Sequence, residues 1–321
     1  MTQTSGRITL WGIEVFLATT EEGSVSAAAR RLGASPSGIS QQITGLETAL
    51  GATLMNRSAR PVALTPAGQM FRRRAQVILS EAQQARAEVA APDMAALTDF
   101  RLGMIEDFDA EVTPRLLSDM AEELKTCQFL LETGASHRLF DLLDARALDM
   151  VVAADMGAPA EWMEVHPLLV EPFVAAAPKG RIDPGGDLMG QLGGLPLIQY
   201  TQRHHMGRQI ADHLARQNLM LAHRFEMDSY HAILAMVADG AGWTILTPLG
   251  YLHARRFCDR VTLVPLPFAP LSRSISLSAR KGVLGEMPGR VADRLRPLLE
   301  QMIVGPATAR IPWLKGRLSL L

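Results

Sequence analysis

The stretch that decides the fold is Ser24–Leu46, which reads SVSAAARRLGASPSGISQQITGL. Its first half predicts a short helix that Ser24 caps, with an apolar face repeating at helical spacing. Gly33 interrupts that pattern, and a second helix begins with Ser35 as its N-cap and Pro36 in its first turn. Two short helices joined by a tight glycine turn indicate a helix-turn-helix.

The outer face of the second helix carries small polar side chains, which include Ser37, Ser40, Gln41 and Thr44. Side chains of this kind can approach phosphates and base edges without filling the major groove of DNA. The face therefore predicts DNA binding. By itself the motif leaves an alternative open, an ordinary helical hairpin whose polar face meets only water.

A longer pattern extends this motif from Phe16 to Gly68. It contains EEGS before the first helix, S-x₄-S-x₂-I-x₂-LE in the second, and LG-x₂-L-x₂-R and LT-x-AG after it. With this pattern the chain resembles the LysR-type transcriptional regulators, strongly at the amino-terminal end and more weakly to about Glu300. One departure is Ser35-Pro36-Ser37, where the family usually has Ser-Gln-Pro, so the resemblance does not imply which bases are read.

The resemblance implies an α/β protein with three parts. These are a winged helix-turn-helix over 1–66, a linker and dimerisation helix over 67–92, and a two-lobed effector domain over 93–321 that is similar to type 2 periplasmic binding proteins. It implies a sequence-specific regulator of transcription that binds double-stranded DNA, a small-molecule effector and further copies of itself, as a homodimer or homotetramer.

The segment Leu54–Leu64 predicts a short β-wing, on which Arg57 and Arg60 can contact the minor groove or phosphate. The predicted DNA-binding residues are Arg31, Ser35, Pro36, Ser37, Ser40, Gln41, Thr44, Arg57 and Arg60.

Thr65 and Pro66 predict the start of a long helix that continues to about Val89. Its apolar positions step by three and four residues, as in a coiled-coil seam. The positions are Phe71, Ala75, Ile78, Ala82, Ala85 and Val89. We predict that this seam forms the dimer contact; packing of the helix on its own domain is the alternative.

A hinge is predicted over 90–98, and alternating strands and helices follow, which predicts parallel sheets. The predicted strands are Phe100–Ile105, Cys127–Leu131, Leu148–Ala153, Leu168–Ala177, Leu195–Tyr200, His223–Met227, Trp243–Leu246 and Ser274–Ala279. The predicted helices are Val112–Leu124, Ser136–Ala145, one near Leu188, Met206–Asn218, Ser229–Asp239 and Pro288–Met302. A crossover is predicted at Asp155–Pro159. The resemblance implies lobe I over about 93–160 and 270–303 and lobe II over about 161–269; the tail 304–321 shows few packing signals.

Ligands of such folds bind at the carboxyl ends of strands, where the lobes meet. The predicted effector-binding residues are Glu106, Asp107, Thr133, Ser136, His137, Tyr200, Thr201, Arg203, His204, Asp228 and Ser229. Acids on lobe I face Arg203 and two histidines on lobe II. Either the lobes pair with each other, or they hold a small ligand with both a cationic and an anionic or hydroxyl group, such as an amino acid. Its anion would meet Arg203 and a helix N-terminus at Ser136 or Ser229.

Composition narrows the class of protein further. Through Pro92 the chain has nine Arg against six Glu, although the net charge of all 321 residues is −1. A basic amino-terminal part favours a local contact with nucleic acid. No apolar run is long enough to cross a bilayer and no signal region precedes Gly12, so a cytoplasmic protein is expected.

No nucleophile, phosphate-binding or dinucleotide-binding motif is present, and His204 and His205 are poorly placed as joint metal ligands. We therefore predict no enzyme activity, cofactor or metal. Cys127 and Cys258 lack CxxC spacing and are expected to be buried structural thiols. Two alternatives stay open: a thiol redox-sensing regulator, and a small-molecule-binding protein or enzyme whose helix-turn-helix is incidental.

Overall fold

The computed structural model describes residues 7–57, 59–90 and 97–321. The chain divides into two compact units. One comprises Met1–Ala96 with Asp144–Ala147, and the other comprises Leu97–Leu143 with Leu148–Leu321. Most of the predicted hinge, residues 91–96, lies outside the described residues. In the part of the chain that is described, no helix is long and apolar enough to cross a membrane.

The first unit is a helix-turn-helix with a wing and a long helix. Its elements are α1 (Leu10–Glu22), α2 (Val25–Arg31), α3 (Pro36–Leu50), β1 (Met55–Asn56), β2 (Ala63–Leu64) and α4 (Pro66–Ala90). Ser35 Oγ accepts a hydrogen bond from the Gly38 N–H at 3.1 Å and so caps α3. Gly33 has φ +61°, a left-handed conformation that most residues avoid, and it makes the tight turn between α2 and α3 possible.

Apolar side chains of the three short helices and α4 form one core. Phe16, Ile39 and Ile43 are fully buried in it. Phe71 of α4 packs edge-on against Phe16, with 5.3 Å between ring centroids, and Ala75 is buried as well. The first part of the predicted seam therefore packs on its own unit. Ile78, one turn further on, is 39% exposed.

The second unit is the α/β part of the chain. Its strands are β3 (Asp99–Met104), β4 (Gln128–Thr133), β5 (Met150–Ala154), β6 (Met163–Pro172), β7 (Val174–Pro178), β8 (Leu197–Tyr200), β9 (His223–Met227), β10 (Thr244–Leu246), β11 (Val261–Pro265), β12 (Ser272–Arg280) and β13 (Ser319–Leu320). Its helices are α5 (Val112–Glu123), α6 (Ser136–Asp144), α7 (Leu188–Gly193), α8 (His205–Arg216), α9 (Tyr230–Ala238), α10 (Pro248–His253), α11 (Met287–Leu299) and α12 (Gly305–Arg310). A π-helical turn, Glu300–Val304, joins α11 to α12.

Two lobes are built on separate sheets. Lobe I has a six-stranded sheet in the order β13-β6-β12-β5-β3-β4. Lobe II has the sheets β10-β7-β11 and β8-β9. The predicted parallel pairing holds for β3 with β4 and β5, and for β8 with β9. It was wrong for β7, which pairs antiparallel with β10 and β11. β12, which the resemblance returned to lobe I, lies in the lobe I sheet and pairs antiparallel with β5 and β6.

The predicted strand Leu168–Ala177 is in fact two strands in different lobes. β6 pairs with β12 in lobe I, the chain turns at Phe173, and β7 enters lobe II. The Phe173 N–H donates to Leu271 O at 2.7 Å, so the outgoing and returning chains are bonded where they cross. The crossover predicted at Asp155–Pro159 was wrong, because that segment leads into β6 of lobe I instead. A continuous apolar run does not reveal which sheet pairs with each half.

The carboxyl-terminal tail also differs from the prediction of few packing signals. It forms α12, a short 3-10 turn over Pro312–Leu314, and β13, which pairs antiparallel with β6 at the edge of the lobe I sheet. Leu314 and Leu318 are buried against the lobe. The tail consists of short apolar segments separated by prolines, so its sequence shows no helical or strand periodicity. The segments nevertheless pack against lobe I.

Candidate functional site

The exposed surface of α3 carries several of the predicted DNA-binding side chains. Pro36, Ser37, Gln41 and Thr44 are exposed, and Ser40 is half-buried. Ile39 and Ile43 point the opposite way, into the core, and so fix the orientation of this surface. The hydroxyl oxygen of Ser35 already accepts the capping hydrogen bond, so this residue fixes where α3 begins.

Arg57 connects the wing to α3. Its Nη1 donates to Thr44 Oγ1 at 3.0 Å, and its Nη2 makes an ion pair with Glu47. Glu47 in turn accepts from the Leu54 N–H at 2.7 Å. The arginine therefore holds the start of the wing against the helix, a role that its position in the sequence did not indicate.

The two other predicted arginines lie on the surface of the same unit. Arg31 makes an ion pair with Glu21 at 2.7 Å and a longer one with Glu22, and the hydrogen bond that it donates to Glu21 raises its pKa. Arg60 is exposed on the wing. Both side chains can be reached by a phosphate.

A cavity of about 50 Å³ lies between the lobes, at the carboxyl ends of β3, β4 and β8. It is lined by six of the predicted effector-binding residues, Glu106, Asp107, Ser136, His137, Tyr200 and His204. The remaining predicted residues, Thr133, Thr201, Arg203, Asp228 and Ser229, do not line it. Prediction missed Ile105, Ala154, Met206, Gln209 and Arg273. Gly134, Ala135, His205 and Tyr230 also line the cavity and belong to the segments predicted to reach the cleft.

Two of the predicted residues outside the lining hold neighbouring groups in place, and a third is exposed. Thr201 is buried and donates to Glu226 Oε1 at 2.6 Å. The backbone oxygen of Asp228 accepts from the Tyr200 hydroxyl at 2.9 Å, which holds that ring beside the cavity. Arg203 is exposed, so the cation expected to face the lobe I acids is not at the cavity.

Arg273 is the cation that meets the lobe I acids. It is buried at the start of β12, where it donates from Nε to Glu171 Oε1 at 2.7 Å and pairs with Asp107 at 3.3 Å. Glu171 also accepts from the Leu249 N–H at the start of α10, at 3.1 Å. This buried ion network, Asp107–Arg273–Glu171, joins lobe I, both crossing strands and lobe II. The predicted pairing between lobes therefore has a structural counterpart, with Arg273 in place of Arg203.

Glu106 is the acid that faces the cavity without an ion pair among the described residues. Burial, then the charge of Asp107, raises its pKa. Burial is also the main reason that the pKa values of His204 and His205 are lowered, so both imidazoles are neutral at neutral pH. The cavity is consequently acidic.

Hydrogen-bonding groups of α6 complete the cavity. Gly134, Ala135 and Ser136 bring the N-terminus of this helix to its wall. Ser136 Oγ accepts from the Ala154 N–H at 3.1 Å and ties α6 to β5. His137 Nδ1 is buried without a hydrogen-bond partner among the described residues, so it can serve a ligand.

Neither cysteine lies at the cavity. Cys258 is buried in lobe II, as predicted, and its thiol donates to Tyr251 O at 3.4 Å; Cys127 is only partly buried. Burial raises the pKa of Cys127 to about 11 and also raises that of Cys258. Thiols with raised pKa values are poor nucleophiles. Among the described residues no group of three or more His, Cys, Asp or Glu side chains could hold a metal ion.

Comparison with known families matches both units. Residues 10–69 match the model described as "Bacterial regulatory helix-turn-helix protein, lysR family", and residues 98–296 match "LysR substrate binding domain". A probable hydrogen peroxide-inducible genes activator of Mycobacterium avium is 32% identical over 249 residues, which cover 74% of this chain and 77% of that protein. A second such protein, from Mycobacterium xenopi, is 32% identical over 56% of this chain and 95% of its own length.

Solved structures share the fold. A full-length OxyR variant of Pseudomonas aeruginosa has a TM-score of 0.68 at 22% identity, covering 90% of this chain and 98% of its own. Full-length CbnR complexed with its target DNA has a TM-score of 0.61 at 20% identity, covering 91% of this chain and 100% of its own.

Proposed function

The chain belongs to the LysR family of bacterial transcriptional regulators, and we propose that α3 and the wing bind operator DNA while the interlobe cavity binds a small amine-bearing effector. In this proposal it has no catalytic role, and it works in the cytoplasm, where chromosomal DNA is accessible. Further copies of the chain pair with it through α4.

The DNA part of the proposal rests on the exposed surface of α3. Ser37, Gln41 and Thr44 point away from the core on successive turns, which suits base edges in the major groove. Arg31 and Arg60 would contact phosphate, and Arg57 would hold the wing in place. A DNA complex of CbnR supports this assignment by its fold.

The effector part is carried by one observation: Glu106 faces a small acidic cavity without an ion pair among the described residues. Glu106 is exposed at the cavity, so an ammonium group can reach this carboxylate and form charge-assisted hydrogen bonds with it. The α6 N-terminus and His137 would receive a carboxylate, hydroxyl or amide group of the same ligand. Since a water needs roughly 10–15 Å³ of such space, a 50 Å³ cavity admits a ligand of only a few heavy atoms.

We expect glycine and ethanolamine to raise the melting temperature of the full-length protein saturably, whereas glycolate, which lacks the amine, does not. Glu106→Gln keeps the shape of the side chain but removes its charge, and it is expected to abolish the shift. Differential scanning calorimetry against ligand concentration measures both. Stabilisation by glycolate equal to that by glycine, or an unchanged response of Glu106→Gln, would contradict an amine-bearing effector.

A peroxide-responsive regulator is the second candidate, favoured by the mycobacterial relatives, which are described as probable hydrogen peroxide-inducible genes activators. Against it, no cysteine lines the interlobe cavity, and both thiols have raised pKa values. We therefore expect hydrogen peroxide at a few equivalents to leave the affinity of the purified protein for DNA unchanged. A Cys127→Ser/Cys258→Ser variant should respond like the wild type. An affinity that peroxide changes in the wild type and not in this variant would favour thiol sensing instead.

A further inference from the structure

We propose that a second cavity of the effector domain binds a small amphipathic monoanion, a carboxylate with a short apolar body. The cavity measures about 390 Å³, whereas the interlobe effector cavity measures about 50 Å³. It lies between the loop that precedes α5, the helix α10, and the segment that joins α11 to α12. Sites for small ligands typically have volumes of about 300–1,000 Å³.

The body of the cavity is apolar. Leu249 and Leu252 of α10 form one side, and Met302, Ile303 and Pro306 of the carboxyl-terminal segment form the other. Leu249 and Ile303 are buried, so these walls are part of the packed lobes and keep their shape. A concave apolar surface of this size favours a ligand with an aliphatic or aromatic body.

The charged groups of the lining leave one arginine open to an anion. Arg255 pairs with Glu111 at 2.7 Å, Asp107 is occupied by Arg273, and His253 lies 3.8 Å from Asp109. Arg310 instead pairs with Asp259, whose side chain is 92% exposed. An ion pair so open to water contributes little, so a ligand carboxylate can replace Asp259 easily. Arginine offers that carboxylate two parallel hydrogen bonds.

Part of the lining lies outside the residues that match the family model. The match to the LysR substrate-binding model ends at residue 296, and Met302, Ile303, Pro306 and Arg310 all follow it. The π-helical turn over Glu300–Val304 brings Met302 and Ile303 to the cavity before α12 carries Arg310 to its opening. The second site is distinct from the effector site of the proposed function, because the two linings share only Asp107.

Isothermal titration calorimetry on the full-length protein tests the site, with hexanoate and benzoate as probes and hexanol and benzyl alcohol as uncharged counterparts. We expect saturable binding of the carboxylates at one site per chain and at least about tenfold weaker binding of the alcohols, since each lacks the charge-assisted hydrogen bonds. Arg310→Gln should weaken the binding of both carboxylates by a similar factor. Met302→Trp, which fills the cavity, should abolish their binding.

Matched controls separate binding at this site from non-specific charge effects and from binding in the effector cavity. Arg216→Gln removes an exposed arginine on α8 and should leave binding unchanged, as should Glu106→Gln in the effector cavity. If Met302→Trp does not fold, Arg310→Gln still decides, because this side chain lies at the surface. The proposal is overturned if neither carboxylate binds saturably, if acids and alcohols bind equally, if Arg310→Gln binds like the wild type, or if Glu106→Gln alone removes binding. The last result would place the probes in the effector cavity.

Discussion

Replacing Arg273 with Met is expected to lower the free energy of unfolding by about 3–5 kcal/mol, the loss typical of removing one partner of a buried ion pair. Glu171 is fully buried, and Asp107 is nearly so. Without the guanidinium, both carboxylates keep their desolvation penalty and lose their counter-charge. The loss should be visible in urea denaturation followed by circular dichroism.

The destabilisation should also depend on pH. Burial raises the pKa of Glu171, while the charge of Arg273 opposes that rise. In Arg273→Met the opposition is gone, so the pKa of Glu171 in the folded chain rises further above its unfolded value of about 4.3. A raised folded pKa means that the folded chain binds more protons, and stability falls as pH rises between the two values. The variant should therefore lose more stability at pH 8 than at pH 5.

Two comparisons make this result specific. The double variant Arg273→Met/Glu171→Leu should recover part of the loss, because it no longer buries the Glu171 charge without a partner. Arg115→Met removes an exposed pair with Asp119 on α5 and should change the free energy by no more than about 0.5 kcal/mol. If Arg273→Met were no more harmful than Arg115→Met, the network would not hold the lobes.

Ile78→Asp is expected to dissociate the dimer and abolish operator binding. Ile78 lies on α4 beyond the part of the seam that packs on Phe16, and it is 39% exposed in the single chain. A dimer contact there would bury one new carboxylate from each chain without a partner, which should weaken association by about 100-fold or more. Sedimentation velocity across a concentration series measures the change.

Met70→Asp is the matched control, since Met70 lies on the same helix and is 66% exposed. It adds the same charge away from the seam and should sediment like the wild type. Both variants should keep the helical circular dichroism of the folded protein. An Ile78→Asp protein that sediments and binds DNA as the wild type does would restrict the seam to packing within one chain.

Local signals in the sequence predicted the helix-turn-helix well. Caps, the glycine turn at Gly33 and the apolar spacing of α3 each act within a few residues, so they can be recognised without the rest of the fold. Most strands of the effector domain were also predicted, because each is a short apolar run between turns.

Features that depend on distant pairing could not be predicted in the same way. Arg273 meets Glu171 only because β12 returns beside β6, 102 residues along the chain. Nothing near Arg273 distinguishes it from the exposed Arg203, which stands next to His204 in the sequence. The break at Phe173 likewise depends on which strands each half pairs with. The predicted rim segments line the cavity, whereas the cation that meets the lobe I acids is Arg273 and not Arg203.

In vitro selection from random duplexes with the full-length protein tests the central claim, that the exposed face of α3 reads DNA. We expect the wild type to enrich one consensus with two related half-sites. Gln41→Ala should enrich a consensus that differs at one position in each half-site, with a change of about 1–3 kcal/mol in discrimination there. Enrichment of no consensus by the wild type, or of the same consensus by both proteins, would contradict it.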